Sequence, residues 1–151
     1  MNISFKNIKV VIALFAVTMF ISTSVSAQCS SVVKEGVAKL TAYTNTGQTN
    51  SATIQSGNKV EMHLDFYKGL NYKLQFGADK ALGQCTFRIL DAGGTELYKY
   101  DASSQADYFT FFSNSSQELT IEISSQDKTK KGCVAVVVGM NQPKSNSIRN
   151  L

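Results

Sequence analysis

The chain has one proline, one histidine and no tryptophan in 151 residues. A single histidine rules out His-rich metal sites and leaves a Ser–His–Asp arrangement only that one residue to work with. No Cys-x-x-Cys spacing occurs, so thioredoxin-type redox chemistry has no basis in the sequence. No Gly-rich phosphate loop occurs either: Gly93-Gly94 follows a strand-like run, and no helical pattern follows it. Charge is sparse, at 17% of residues and a formal +4. The only basic cluster, Lys128, Lys130 and Lys131, reads as a solvated loop, so no nucleic-acid footprint is present.

What is present starts with an export pattern. Lys6 and Lys9 form a short basic stretch, an apolar run follows from Val10 to Ile21, and small and polar residues lead to Val25-Ser26-Ala27. These are the three parts of a secretory signal, and the run is short of the roughly 20 residues of a membrane span. The sequence therefore predicts a cleaved signal peptide over 1–27, a domain over 28–140 and a polar tail over 141–151. Gln28 directly before Cys29 argues against a lipoprotein. Loss of Lys6 and Lys9 lowers the formal charge from +4 to +2. The mature chain is long enough for one domain with a real core, and no later segment is apolar enough to span a membrane.

Three cysteines follow the signal: Cys29, Cys85 and Cys133. An oxidising compartment favours pairing, and an odd number leaves at least one unpaired within the chain. Cys85 and Cys133 each open a strand-like run and are the first candidate pair across a sheet. Cys29–Cys133 is the next. Cys29, near the new N-terminus, is then a free thiol or a link to another chain.

Strand signals dominate the rest. Val33, Val37 and Leu40 fall at helical spacing, so 29–40 reads as a short helix or an irregular arm. Thr44–Asn50 is rich in turn formers, with a short strand expected over Ala52–Gln55. Val60, Met62, Leu64 and Phe66 alternate with Glu61, His63, Asp65 and Tyr67, the period of a half-buried strand. Lys68-Gly69 and the alternation of Tyr72, Leu74 and Phe76 then suggest a hairpin. A second hairpin is expected from Cys85–Ile89 and Thr95–Tyr100 around Asp91-Ala92-Gly93-Gly94. Tyr108–Phe112 and Leu119–Ile123 are further strands. Val134–Val138 is apolar on both faces and reads as a central strand covered on both sides. Seven or eight strands at this spacing predict an all-β antiparallel sandwich or jelly roll with a short N-terminal helix.

Candidate chemistry is thin. Glu61, His63 and Asp65 share one strand face and are the only trio that resembles a metal set, on a face the alternation assigns to solvent. Asp91, with Asp101 and Asp107 nearby in sequence, is the one candidate Ca²⁺ turn, although Asp-Gly turns also simply close hairpins. Tyr67, Tyr98, Tyr100 and Tyr108 are candidates for stacking on sugar rings, with cross-strand packing as the competing role. Neither Glu61/Asp65 nor Glu118/Glu122 shows the burial that acid–base catalysis requires.

The succession YTNTGQTNSATIQSGNKVEMHLDFYKGLNYKLQF, LGQCTFRILDAGGTELY, SSQELTIEI and GCVAVVVGM resembles a family of uncharacterised exported β-sandwich proteins of Bacteroidetes-type bacteria, over about residues 43–140. That resemblance implies secretion and a sandwich, and no activity. In that family a cysteine closes the strand written YKLQF here. In this chain Gly77 follows Phe76 and Cys85 comes later, which leaves the partner of Cys133 open. Phe87–Tyr98 and Leu119–Ile123 are more distantly similar in rhythm to pre-peptidase C-terminal domains, which implies substrate or calcium binding by analogy alone. Together these readings favour a non-catalytic binding module of the periplasm or cell exterior, for a glycan or an envelope protein. A structural component of the envelope is the alternative, and a small secreted hydrolase ranks behind it.

Overall fold

The computed structural model describes residues 29–142 apart from Ser56, Ala102, Gln105 and Lys128, so the expected signal peptide over 1–27 and most of the polar tail lie outside the described residues. Helix α1 (Ser30–Ala38) is followed by β1 (Thr44–Gln55), β2 (Lys59–Phe66), β3 (Asn71–Ala78), a 3₁₀ turn (Lys80–Leu82), β4 (Cys85–Leu90), β5 (Glu96–Tyr100), β6 (Tyr108–Phe112), β7 (Gln117–Ser125) and β8 (Lys131–Asn141). They form two four-stranded sheets, in the orders β1-β8-β3-β6 and β2-β7-β4-β5. Every pairing is antiparallel. Successive strands mostly alternate between the sheets, which is the jelly-roll connection of a double Greek key. The all-β sandwich expected from the sequence is the fold observed.

The core forms where the alternating strands turn their apolar residues inward. Met62, Leu64 and Phe66 of β2 lie opposite Ile121, Leu119 and Gln117 of β7. Val134, Val136 and Val138 of β8 and Tyr72, Leu74 and Phe76 of β3 meet them from the other sheet. Burial of this apolar area is the main source of stability. Aromatic pairs add to it: Phe66 meets Tyr72 edge-on at 4.9 Å between ring centres, and Phe76 lies 5.0 Å from Phe87.

β8 is interior, between β1 and β3, and its outer face is covered by α1. That double cover explains its unbroken apolar run. Contact is close enough that a Cβ on Gly36 would lie 2.8 Å from Val137 Cγ2, and one on Gly139 would lie 2.8 Å from Tyr43 Cβ. α1 also buries Lys73 and Gln75, which the alternation of β3 assigns to a polar face. The Lys73 ammonium donates to the Lys39 carbonyl at 2.6 Å and lies 4.5 Å from the centre of the Tyr108 ring.

Three expectations are corrected. Thr44–Asn50 is not a turn but the first half of β1, an edge strand that borrows order from its long ladder with β8. Pairing overrides the low strand propensity of its polar residues, and Gly47, at φ +83°, takes up the irregularity between Asn45 and Thr49. β2 and β3 are not a hairpin. Lys68-Gly69, with Gly69 at φ +89°, carries the chain from one sheet to the other, so Phe66 and Tyr72 face the same core from opposite sides. The third correction is the disulfide. It joins Cys29 to Cys133, with Cα atoms 5.3 Å apart, and Cys85 is the free, buried thiol. The cause is the facing of β8: Val134 and Val136 point into the core, so Cys133 points out, toward the start of α1. Cys85 points inward from the opposite sheet and belongs to the core cluster. Cys29 is therefore neither free nor available to a second chain. The β4–β5 hairpin and the helix near the N-terminus are found where the sequence places them.

Candidate functional site

A cleft of about 370 Å³ lies between α1, the C-terminal end of β3, the 3₁₀ turn, β4 and β5. Its floor is aromatic. Phe76 of β3, Phe87 of β4 and Tyr100 of β5 form a triangle with ring centres 5.0, 5.7 and 5.8 Å apart. One wall is α1, with Val32, Glu35, Gly36 and Lys39 toward the opening; the other is the 3₁₀ turn with Asp79, Lys80 and Gly83. α1 and β3 touch at Gly77, where a Cβ would lie 2.8 Å from Val32 Cγ1. Glycine is what lets the helix close this side.

The rim carries charge. Lys39 Nζ lies 2.8 Å from Asp107 Oδ2 and 3.2 Å from Glu35 Oε1. The hydrogen bond to Asp107 raises the Lys39 ammonium above its ordinary value. Burial pushes the Asp107 carboxyl up, but Lys39 and Gln75 outweigh it and hold the group below the ordinary carboxylate range. Both therefore stay ionised at neutral pH. Beneath them the Gln75 amide donates to the Asp107 carbonyl at 2.9 Å, while its own Oε1 is buried and has no hydrogen-bond partner among the described residues. Cys85 lies on the cleft lining, and burial pushes its thiol up against the opposing hydrogen bond from Ser125. A thiol so held is a poor nucleophile.

Of the residues singled out by sequence, Tyr100, Cys85 and Asp107 reach this cleft. Tyr98 stacks on Phe109 at 4.5 Å and is packed against the core. Tyr67 is 62% exposed beyond the end of β2, and Tyr108 is 41% exposed on the outer face of the other sheet. The four tyrosines thus form no common platform.

Glu61, His63 and Asp65 project to solvent from β2. His63 Nδ1 lies 3.2 Å from Glu118 Oε1 and 3.3 Å from Thr120 Oγ1, both on the neighbouring β7. Among the described residues, no three His, Cys, Asp or Glu side chains are placed to hold a metal. Asp91 Oδ1 instead accepts from the backbone of Gly93 and Thr95, at 2.9 and 2.8 Å, closing the hairpin. Asp101 is bound to Ser103 and Lys99, and Asp107 to Lys39, so the three aspartates do not converge. Sequence reading passed over Glu35 and Lys39. Their i,i+4 spacing on a helix was the available signal, but nothing in it shows that Asp107 closes the set from 68 residues away.

No family model and no curated protein matches the chain. Among solved structures it is similar to PliG of Aeromonas hydrophila, a periplasmic inhibitor of g-type lysozyme, at 8% identity, 62% of this chain, 84% of that one and a TM-score of 0.47. It is also similar to a de novo designed double-stranded β-helix, at 17% identity, 62% of this chain, 99% of that one and a TM-score of 0.33.

Proposed function

We propose that the protein is an exported, non-catalytic binding module whose ligand site is the cleft beneath α1, and that the ligand is a sugar ring of an envelope or extracellular glycan. The observation that carries this reading is the pairing of an aromatic floor with an ionised rim. Tyr100, half-buried and packed on the buried rings of Phe76 and Phe87, offers apolar ring surface to the C–H face of a pyranose, and Glu35, Lys39 and Asp107 offer donors and acceptors to its hydroxyls. The same groups speak against catalysis: the carboxylates are engaged by one ammonium, and the buried thiol is held protonated. Export is supported by the N-terminal pattern and by a bridge suited to an oxidising compartment.

The test is thermal unfolding of the purified protein against a panel of glycans. A ligand at about 100 times its Kd adds roughly 2.7 kcal/mol to stability, a shift of several degrees. Tyr100→Ala and Lys39→Ala should each abolish the shift while leaving the protein folded. A glycan-induced shift that survives both substitutions would place the ligand elsewhere, and no shift with any glycan would remove the sugar from the proposal.

A further inference from the structure

Four strands lie at sheet edges: β1 and β6 in one sheet, β2 and β5 in the other. Exposed edges invite pairing with another chain, and proteins guard them with charge, irregularity or cover. β2 carries Lys59, Glu61, His63 and Asp65 on its solvent face. β5 carries Glu96 and Lys99, and its ladder with β4 is irregular at Ile89/Leu90. β1 is polar except for Ala52 and the buried Ile54, and irregular between Asn45 and Thr49. β6, with the sequence Tyr-Phe-Thr-Phe-Phe, has no charge, no proline and an unbroken register with β3.

The free side of β6 follows from its bonded side. Phe76 N donates to the Asp107 carbonyl at 2.9 Å and Ser113 N to the Leu70 carbonyl at 3.0 Å. In this antiparallel register the odd-numbered residues bond β3, so the N–H and C=O of Tyr108, Thr110 and Phe112 point away from the sheet. Tyr108 is 41% and Phe112 45% exposed, on the part of the outer face that α1 leaves open. The charges nearest the strand are turned elsewhere: Asp107 is paired with Lys39, and the Lys73 ammonium donates to the Lys39 carbonyl.

We propose that β6 is a homodimer interface, pairing edge to edge with β6 of a second copy into one continuous sheet. The strand is self-complementary about Thr110. In an antiparallel, two-fold pairing Thr110 meets Thr110 of the second copy, and Tyr108 lies opposite Phe112. These residues are the ones with free backbone groups, so each exchanges hydrogen bonds across the axis. The two aromatic pairs flank the Thr110 pair on one face, and within each the cross-strand aromatic contact stabilises the sheet. The absence of charge on β6 removes the like-charge repulsion that two identical edges otherwise present to each other. None of Tyr108–Phe112 lines the cleft, which β6 adjoins only at Asp107, and the assignment does not depend on the sugar.

The experiment is light scattering coupled to size exclusion over a dilution series. The protein is expected to run at twice its chain mass when concentrated and to dissociate on dilution. Thr110→Lys and Thr110→Glu each set like charges against each other on the axis and should run as folded monomers. Mixed in equal amounts, they should recover the dimer through Lys–Glu pairing. Hydrogen exchange gives a second readout: the amides of Tyr108, Thr110 and Phe112 gain protection only in the dimer, whereas those of Phe109 and Phe111 are protected throughout. A wild type that stays monomeric with those three amides in fast exchange would overturn the proposal and leave the edge open to a strand of another protein. A dimer that persists in both single variants, or a mixture that fails to reassemble while both variants remain folded, would overturn it as well.

Discussion

Replacing both Cys29 and Cys133 with alanine should remove a large part of the stability of this domain. The bridge closes a loop with a sequence separation of 104, from the start of α1 to β8, and so ties together the ends of nearly the whole sandwich. In the chain-entropy account, a closure of that length restricts the unfolded ensemble by about 16 cal/mol/K, or about 4.7 kcal/mol at 25 °C, toward the top of the 2–5 kcal/mol found for native bridges. For a domain of this size each kcal/mol moves the melting point by roughly 3–6 °C, so a drop of about 14–28 °C is expected. Alanine is the right replacement because Cys133 is buried, and a serine hydroxyl there would add a cost unrelated to the bridge. The assay is calorimetric unfolding of the wild type and the double variant, with the wild type repeated under reductant. A double variant melting within about 3 °C of the wild type would refute the reasoning, because the loop closure would then contribute almost nothing.

Gly36→Ala should destabilise by about 1–3 kcal/mol in urea unfolding, because the new Cβ would lie 2.8 Å from Val137 Cγ2. The usual helical Gly→Ala change has the opposite sign, a gain of about 1 kcal/mol, so the direction alone tests the packing of α1 on β8. Cys85 should resist alkylation in the folded protein at neutral pH and react on unfolding, since burial raises its thiol above 9.0; labelling and mass measurement check this. Asp101, held down to about 2 by hydrogen bonds from Ser103 and then by Lys99, should titrate there in NMR spectra, and Ser103→Ala should raise its midpoint. A depressed carboxyl stabilises the fold above its unfolded value of 3.8, and that contribution is lost as the pH falls toward 2.

Much of the fold was legible from periodicity. The alternation in Val60–Phe66 and Leu119–Ile123 marks strands with one buried face, and the double-sided apolar run of Val134–Val138 marks an interior strand with cover on both sides. The β4–β5 hairpin was legible because its turn chemistry is local: Asp91 accepts from residues two and four positions ahead. The candidate site was much less so. Tyr100, Cys85 and, as a calcium-turn candidate, Asp107 were noticed, but Lys39, which unites the rim with Asp107, lies 68 positions from it and no pattern links the two.

By itself the sequence determined which segments are strands and which side chains point together along each of them, because a strand's period depends only on neighbours in the chain. It did not determine which strands share a sheet. Alternating runs on either side of Lys68-Gly69 suit a hairpin and a sheet-to-sheet crossing equally, and the crossing was selected only when Phe66 and Tyr72 met in the core. Nor did it determine which face of β8 carries Cys133 toward a partner. Period two divides the residues into two sets without saying which set is inside. That choice was made by packing, with Val134, Val136 and Val138 turned to the opposite sheet and Cys133 left facing α1.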